Sequence, residues 1–292
     1  MQDSPATAFD RTQEDMGNIV EFGHINVLAP DRRLATLFYV RGLGLTRDPF
    51  LMTGADVMWV NAGAAQFHLP AGPPQILPGT IGLVVPDLDA LAESLAAAAP
   101  ALAATQFRVS RQGDMLEAIC PWGNRIRCHA PGPRWPGLAL GIAYVEFEAA
   151  PGTAERIARF YRDVFLTRAH AEAGCACVSC GAITTLVFVE SKTPQRMAPS
   201  SCHIQVALAN FSGPHAWLAK RGLITQESNA HQYRFQDVVD VDNGEVLFRL
   251  EHEVRSMRHP LYARALVNRN SRQNPRRYRV GHESQPWSLP AL

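Results

Sequence analysis

The sequence lacks long apolar runs, is poor in cysteine and carries almost no net charge. No apolar run reaches the ~18 residues of a membrane-spanning helix. Six cysteines in 292 residues are too few for a disulfide-stapled secreted scaffold, and the polar, acidic N-terminus does not have the pattern of a secretory signal. With 47% hydrophobic residues and a net charge of +1, disorder is excluded. We therefore expect a globular, cytoplasmic protein with no membrane contact and room for about two domains.

The near-zero charge hides an asymmetry along the chain. Residues 254–292 contain eight arginines and one acidic residue, Glu283, so the rest of the chain is mildly acidic. An arm of this charge can pack on the acidic body or contact phosphates. Because Pro260, Tyr262 and Trp287 lie within it, a packed arm is favoured and a nucleic-acid partner is not expected.

One cysteine cluster, Cys175-Ala-Cys177-Val-Ser-Cys180, invites a metal or redox interpretation. A zinc site usually needs a fourth ligand and a C-x2-C pair, which this run does not supply. Alternation along a strand instead places Cys175 and Cys177 on one face and Cys180 on the other. We interpret these residues as small apolar strand residues.

The most informative pattern is a fourfold repeat. Each copy opens with a short strand of alternating apolar residues, continues through a turn into a helix, and then returns in further strands. The helices of the first and third copies share an aromatic pair, Phe38-Tyr39 and Phe160-Tyr161. The four opening strands lie at residues 23–28, 79–85, 143–148 and 202–208.

The repeat sets the predicted domain organisation. The stretch Pro131–Gly137 is rich in proline and glycine and is typical of a linker. We predict a flexible N-terminus over 1–19, a domain of two units over 20–131, a second domain of two units over 138–253, and a C-terminal arm over 254–292.

Four βαβββ units that open with G-H-I-x-V, continue with P-D and end their helix near F-Y resemble the vicinal oxygen chelate superfamily. That group includes glyoxalase I, extradiol ring-cleavage dioxygenases, fosfomycin-resistance enzymes and bleomycin-binding proteins. The resemblance covers about residues 20–253. It implies an α+β fold in which four βαβββ modules form two open, cup-like mixed sheets, followed by an irregular, arginine-rich tail. It also implies a divalent metal inside a cup.

Alternation on the opening strands selects the side chains that face the cup. In the first unit His24 and Asn26 share one face, and in the fourth His203 and Gln205 do the same. The apolar faces should pack beneath the helices. A single such histidine is usually a hydrogen-bonded core residue, but two in the same slot of a repeat favour a metal site.

The resemblance implies further ligands on late strands of each unit. His68 fits this slot in the first unit. In the fourth unit the usual slot falls at Phe248 or Arg249, and Glu251 lies two or three positions later, on the same strand face as Glu253. The second and third units depart from the pattern, with Thr80, Arg127 and Tyr144 in the ligand slots. If neighbouring units share a cup, neither cup holds a convincing set. If the first and fourth units share one, as in hydroquinone-cleaving dioxygenases, the predicted set is His24, His68, His203 and Glu251.

Histidines with one carboxylate are the ligands of non-haem Fe(II) oxygenases. The resemblance therefore implies an Fe(II)-favouring oxygenase like the ring-cleaving extradiol and hydroquinone dioxygenases, acting on a small aromatic diol, with Mn, Zn or Ni as other metals. The alternatives are a glyoxalase- or isomerase-like metal-dependent lyase and a metal-free small-molecule-binding protein. Family members often dimerise, so a homodimer is compatible with this assignment.

Further residues receive predicted roles from their places near the last strand. We expect His252, His259 and Tyr262 to manage protons. Substrate contacts are expected from Asn26, Gln205 and Arg249. An inward Arg249 would hold a phenolate or carboxylate, and the alternative is an ion pair with Glu251 or Glu253.

Overall fold

A computed structural model of the chain describes residues 10–51, 56–194 and 202–269. Residues 1–9 of the predicted N-terminal segment and residues 270–292 of the predicted arm lie outside the described residues. Within the described residues, no helix is both long enough and apolar enough to cross a membrane.

Each unit has the order strand, helix and three strands. The first unit contains β1 (Ile19–Asn26), α1 (Arg32–Ala35, continued by a π-helix over Thr36–Gly42), β2 (Thr46–Arg47), β3 (Val57–Ala62) and β4 (Ala65–Pro70). The second contains β5 (Gly79–Val84), α2 (Leu88–Leu102), β6 (Arg108–Gln112), β7 (Met115–Ile119) and β8 (Arg125–His129). The third contains β9 (Gly141–Ala149), α3 (Ala154–Phe165), β10 (Ala169–Glu172), β11 (Cys175–Cys180) and β12 (Thr184–Glu190). The fourth contains β13 (His203–Leu208), α4 (Ser212–Ala219), β14 (Ile224–Asn229), β15 (Gln232–Val239) and β16 (Val246–Ser256).

The strands form two eight-stranded sheets, and the sheets decide which units pair. The first sheet has the order β14-β15-β16-β13-β1-β4-β3-β2 and joins the fourth unit to the first. The second has the order β10-β11-β12-β9-β5-β8-β7-β6 and joins the third unit to the second. In each, an antiparallel central pair is flanked by parallel neighbours. The predicted α+β fold with two open mixed sheets is confirmed. Each sheet takes one unit from each of the two predicted domains, and the boundaries 20–131 and 138–253 stay predictions.

The P-D dipeptides begin the first two helices. The Asp31 carboxylate accepts a hydrogen bond from the Leu34 backbone N–H at 2.9 Å, and Asp87 accepts from Ala90 N–H at 3.0 Å. An aspartate at this position satisfies backbone donors that have no partner inside the helix.

The helices cover the apolar face of each sheet. Ile25 and Ile204 are fully buried, as alternation predicted. Of the repeated aromatic pairs, Phe38 and Tyr39 meet edge to face with ring centroids 5.0 Å apart, and Phe160 and Tyr161 do so at 5.5 Å. The opposite face of the sheet is therefore left to the polar residues of the opening strands.

The described part of the C-terminal arm packs against the first unit. Arg264 donates to Asp48, which lies before β3, at 2.6 Å. Asn268 accepts from the Gly63 backbone N–H at 3.0 Å and donates to its carbonyl at 2.9 Å. Asp48 also accepts from Gln66, the neighbour of His24 on β4. These bonds tie the arm to the strands that carry the candidate site.

We expect Asp48→Asn to lower the free energy of unfolding by about 1–3 kcal/mol, because the buried Arg264 contact loses its charged acceptor. Burial raises the pKa of Asp48, but Arg264 and the backbone N–H groups of Leu51 and Phe50 outweigh it and hold the pKa below 3.8. A lowered folded-state pKa stabilises the fold above the unfolded value and ceases to do so as pH falls through the folded value. The deficit of the variant should therefore shrink below about pH 4.

Urea unfolding at pH 7 and pH 3 measures this difference. The matched control is Asp89→Asn, whose pair with Arg111 is 80% and 51% exposed and should change stability by less than about 1 kcal/mol. Equal effects of the two substitutions at pH 7 would contradict the anchoring role.

Candidate metal centre

Two histidines meet at the centre of the first sheet. β1 and β13 pair antiparallel, with His24 opposite Gln205 and Asn26 opposite His203. His24 is 1% exposed and His203 5%. Their Nε2 atoms lie 3.1 Å apart. Two ring nitrogens at this separation either share one proton or present both lone pairs to a common cation.

His68 completes a cluster of three imidazoles. The parallel register of β1 and β4 sets His68 beside Asn26. One ring nitrogen from each of His24, His68 and His203 lies within 4.8 Å of the others. Trp59 stacks on His68 with ring centroids 3.8 Å apart and an interplanar angle of 8°, which limits rotation of that imidazole.

Two of the three imidazoles, those of His24 and His68, are favoured in the neutral form. Burial, followed by the nearby His203 and His68, lowers the pKa of His24 well below its usual value. Burial and the charges of Arg255 and Arg234 lower the pKa of His68 to about 3. Neutral imidazole is the form that binds metal ions. His68 Nδ1 is buried and has no hydrogen-bond partner among the described residues.

A local twofold axis runs between β1 and β13. It relates His24 to His203 and Asn26 to Gln205. β4 places His68 beside Asn26, and β16 places Glu253 beside Gln205. Glu253 is therefore the twofold mate of His68. Glu251, the predicted ligand, stands beside His203 and corresponds to Gln66 instead.

The two carboxylates approach different nitrogens of His203. A Glu253 oxygen lies 3.7 Å from Nε2, the atom that faces His24, and its side chain is 5% exposed. A Glu251 oxygen lies 3.8 Å from Nδ1, and its side chain is 28% exposed. Glu253 is thus the better placed carboxylate, and Glu251 lies on the outer side of the His203 ring.

Two arginines neutralise these carboxylates. Arg234 on β15 donates to both Glu251 and Glu253, and Arg255 contacts Glu253 at 2.6 Å. The Arg234 side chain is 23% exposed, and its Nε has no hydrogen-bond partner among the described residues. The Arg234 guanidinium therefore lies directly beside the cluster, with its charge balanced by the two carboxylates.

Of the residues predicted to bind substrate, the two amides lie within the site and the arginine does not. Asn26 and Gln205 are buried between the histidine positions on the central strands. Arg249 contacts Asp237 at 3.2 Å and is 66% exposed. Arg249 lies two residues before Glu251 on β16, where it pairs with Asp237 of β15 and not with the histidine cluster.

The residues predicted to manage protons lie away from the cluster. His252 is on the opposite face of β16, where it bonds the Tyr161 hydroxyl at 2.7 Å and stacks on Phe235. Burial lowers the pKa of His252 to about 3. His259 accepts from the Leu261 backbone N–H at 3.1 Å, and Tyr262 lines a cavity of about 240 Å³ at the seam between the sheets. His252 therefore faces away from the three histidines.

Arg234 and Trp59 are two further residues of the site, and the sequence alone predicts no ligand or substrate role for either. Arg234 lies directly opposite Glu253 across β15 and β16, and Trp59 lies directly opposite His68 across β3 and β4. Alternation alone marks both as cup-facing once the register is known. The register of these hairpins was the missing signal.

The residues of the cluster fit a divalent metal. Three imidazoles with converging nitrogens and one adjoining buried carboxylate are donors that Fe(II), Mn, Zn and Ni accept. The arrangement of the chain would supply His24, His68 and His203, with Glu253 as the adjoining carboxylate.

Comparisons with known proteins identify similar folds. No protein-family model and no curated protein matches the chain. Among solved structures, glyoxalase I from Zea mays is 12% identical, with a TM-score of 0.55, over 85% of this chain and 95% of that one. A protein from Bacillus subtilis named "putative dioxygenase" is 15% identical, with a TM-score of 0.50, over 82% of this chain and 86% of that one. At these identities the likeness concerns the fold.

Proposed function

Because the chain has the vicinal oxygen chelate fold, we propose that it is a metal-dependent dioxygenase that cleaves the ring of a small aromatic diol. The observation that carries the proposal is the convergence of His24, His68 and His203 beside Glu253, on strands from the first and last units. Fe(II) is the favoured metal because imidazoles with a carboxylate are its usual ligands in oxygenases.

Each ligand would be held in place by a neighbour. Trp59 fixes the ring plane of His68 through the stacking contact, and Arg255 fixes the carboxylate of Glu253. Such supporting contacts raise metal affinity because the ligands need no reorganisation on binding. When bound, Fe(II) supplies the redox chemistry that lets O₂ react with a diol ring.

Arg234 would orient the substrate. Its guanidinium neutralises Glu251 and Glu253 and keeps a buried Nε donor without a partner among the described residues. A phenolate oxygen next to this cation gains a charge-assisted hydrogen bond, which favours the ionised diol over the neutral one. Asn26 and Gln205, buried between the histidines, would line the floor beneath the ring.

A metal-dependent lyase is the second candidate function. It is favoured by the likeness to the maize glyoxalase I fold, whose TM-score is 0.55. The same ligand set could polarise a carbonyl and stabilise an enediolate. A lyase would need no O₂, which separates the two candidates by measurement.

We expect protein purified and reconstituted with Fe(II) under anaerobic conditions to consume O₂ when catechols or hydroquinones are added. An oxygen electrode measures the uptake, and absorbance or mass spectrometry identifies the ring-opened product. Turnover of the hemithioacetal of methylglyoxal without O₂ consumption would favour the lyase. Absence of stoichiometric metal after reconstitution with Fe, Mn, Zn or Ni would overturn both enzyme proposals and favour a metal-free binding protein.

A further inference from the structure

The second sheet repeats the geometry of the first without its ligands. Gly82 on β5 lies opposite Tyr144 on β9 and beside Arg127 on β8. The pairing register of this sheet matches that of the first sheet. Thr80, Tyr144 and Arg127 therefore occupy the positions that correspond to His24, His203 and His68. Val187 on β12 occupies the slot of Glu253. A hydroxyl, a phenol, a guanidinium and an alkyl group do not make a divalent-metal site.

The concave face of this sheet nevertheless encloses a large cavity. Its volume is about 680 Å³, within the range of about 300–1,000 Å³ typical of small-molecule sites. The linker between the second and third units forms one wall through Arg134, Trp135 and Leu138, and β11 and β12 form the opposite wall. The cavity therefore has a polar floor, an aromatic wall and an apolar wall, as ligand pockets generally do.

A phenol and an imidazole are built into the floor. The Tyr144 hydroxyl lies 3.1 Å from His129 Nε2. Burial raises the pKa of Tyr144 and lowers the pKa of His129, so both groups are neutral near pH 7. Gly82 makes the position of Tyr144 attainable, because a Cβ at residue 82 would lie 2.1 Å from the tyrosine ring. The pair offers one donor and one acceptor to a ligand.

The cationic groups of the cavity are not equivalent. Arg127 lies 3.3 Å from Glu117 and 3.6 Å from Glu146, so its charge is balanced locally. Arg134 stands over the ring of Trp135 at 5.0 Å and forms no ion pair with a described residue. The rim of the cavity therefore has one unbalanced positive charge next to an aromatic surface, and this charge suits a monoanion.

We propose that this second cup is a metal-free binding site for a small planar aromatic molecule that carries one acidic group, a carboxylate or a phenolate. The anionic group meets Arg134 at the rim, the ring lies between Trp135 and the apolar wall of β12, and a hydroxyl substituent reaches Tyr144 and His129. The site is separate from the three-histidine cluster on the first sheet. The chain would therefore hold two small molecules, one in a cup with metal ligands and one in a cup without them.

The test uses the full chain stripped of metal with a chelator. Isothermal titration calorimetry with 6-hydroxy-2-naphthoate is expected to give saturable binding of one molecule per chain. The uncharged 6-hydroxy-2-naphthamide should bind at least about tenfold more weakly, because it forgoes the charged contact. Arg134→Gln should weaken naphthoate binding about tenfold and abolish the preference for the acid, and Tyr144→Phe should weaken both probes alike.

Two controls locate the binding. Arg111→Gln removes an exposed arginine that pairs with Asp89 outside the cavity and should leave naphthoate binding unchanged. His24→Ala should do the same, since it changes only the first cup. Loss of naphthoate binding in a His24→Ala variant that circular dichroism shows to be folded, equal affinity for acid and amide, or no saturable binding up to the solubility limit would each overturn the proposal. None of these results bears on metal binding by the first cup, so the two proposals fail independently.

Discussion

His24→Ala and His203→Ala are each expected to reduce bound iron from about one ion per chain to less than about a tenth. Each substitution removes one of three converging ring nitrogens. Loss of a supporting contact to a ligand alone typically costs 10–100-fold in metal affinity, and loss of the ligand itself costs at least as much. Metal analysis of anaerobically reconstituted protein measures the effect without reference to turnover.

The matched control is His170→Ala, because His170 is exposed on the edge strand β10 of the other sheet. It should bind as much iron as the unchanged chain. Since alanine at position 24 or 203 also removes a buried ring, circular dichroism must show a folded variant before its iron content is interpreted. Full iron occupancy in folded His24→Ala or His203→Ala would refute the three-histidine centre.

Glu253→Gln is expected to weaken Fe(II) binding about 10–100-fold, whereas Glu251→Gln should change it less than about threefold. Glu253 is the twofold mate of His68 and approaches the ring nitrogen of His203 that faces His24. Glu251 approaches the other nitrogen of the same ring. Competition with a chromophoric chelator gives both affinities under one set of conditions.

The pair of variants contains its own control, because both carboxylates accept from Arg234. If Fe(II) affinity fell only because Arg234 lost one of its carboxylate partners, it would fall in both variants. Glu253→Gln additionally leaves Arg255 without its carboxylate, and breaking such a buried pair costs about 3–5 kcal/mol. Unfolding of the metal-free variants in urea separates that loss of stability from the loss of metal affinity. The reverse ranking of affinities would identify Glu251 as the carboxylate ligand.

The faces of the strands could be predicted from sequence because strand periodicity is local. Alternation correctly assigned Ile25 and Ile204 to the hydrophobic core and so left His24 and His203 on the other face. It failed to separate Glu251 from Glu253, since both lie on the same face of β16. Separating them requires the register between β13 and β16. That register is set by pairing across the sheet and is not indicated by the sequence of either strand alone.

Strand geometry also explains where Arg249 and His252 lie. Nearness along the chain to a ligand strand suggested that both contribute to the site. His252 instead faces Tyr161 and Phe235 beneath the helices, and Arg249, two residues before Glu251 on β16, contacts Asp237. Adjacent residues of a strand point to opposite faces, so neighbours of a ligand in sequence are poor candidates for the same cavity.

The sequence by itself determined that the chain is a fourfold repeat of βαβββ units with a histidine in the same slot of the first and last copies. Only the tertiary structure decided that the first and fourth units share one sheet, that His68 and Glu253 are twofold mates, and that the second and third units enclose a cavity without metal ligands. The physical reason is that apolar periodicity specifies which face of a strand is buried, whereas the choice of partner strand depends on the free energy of the whole assembled sheet. The low net charge is also expressed locally. The arginines beside the two cups are largely paired with glutamates, and Arg134, which stacks on Trp135 at the rim of the second cup, is the exception among the described residues.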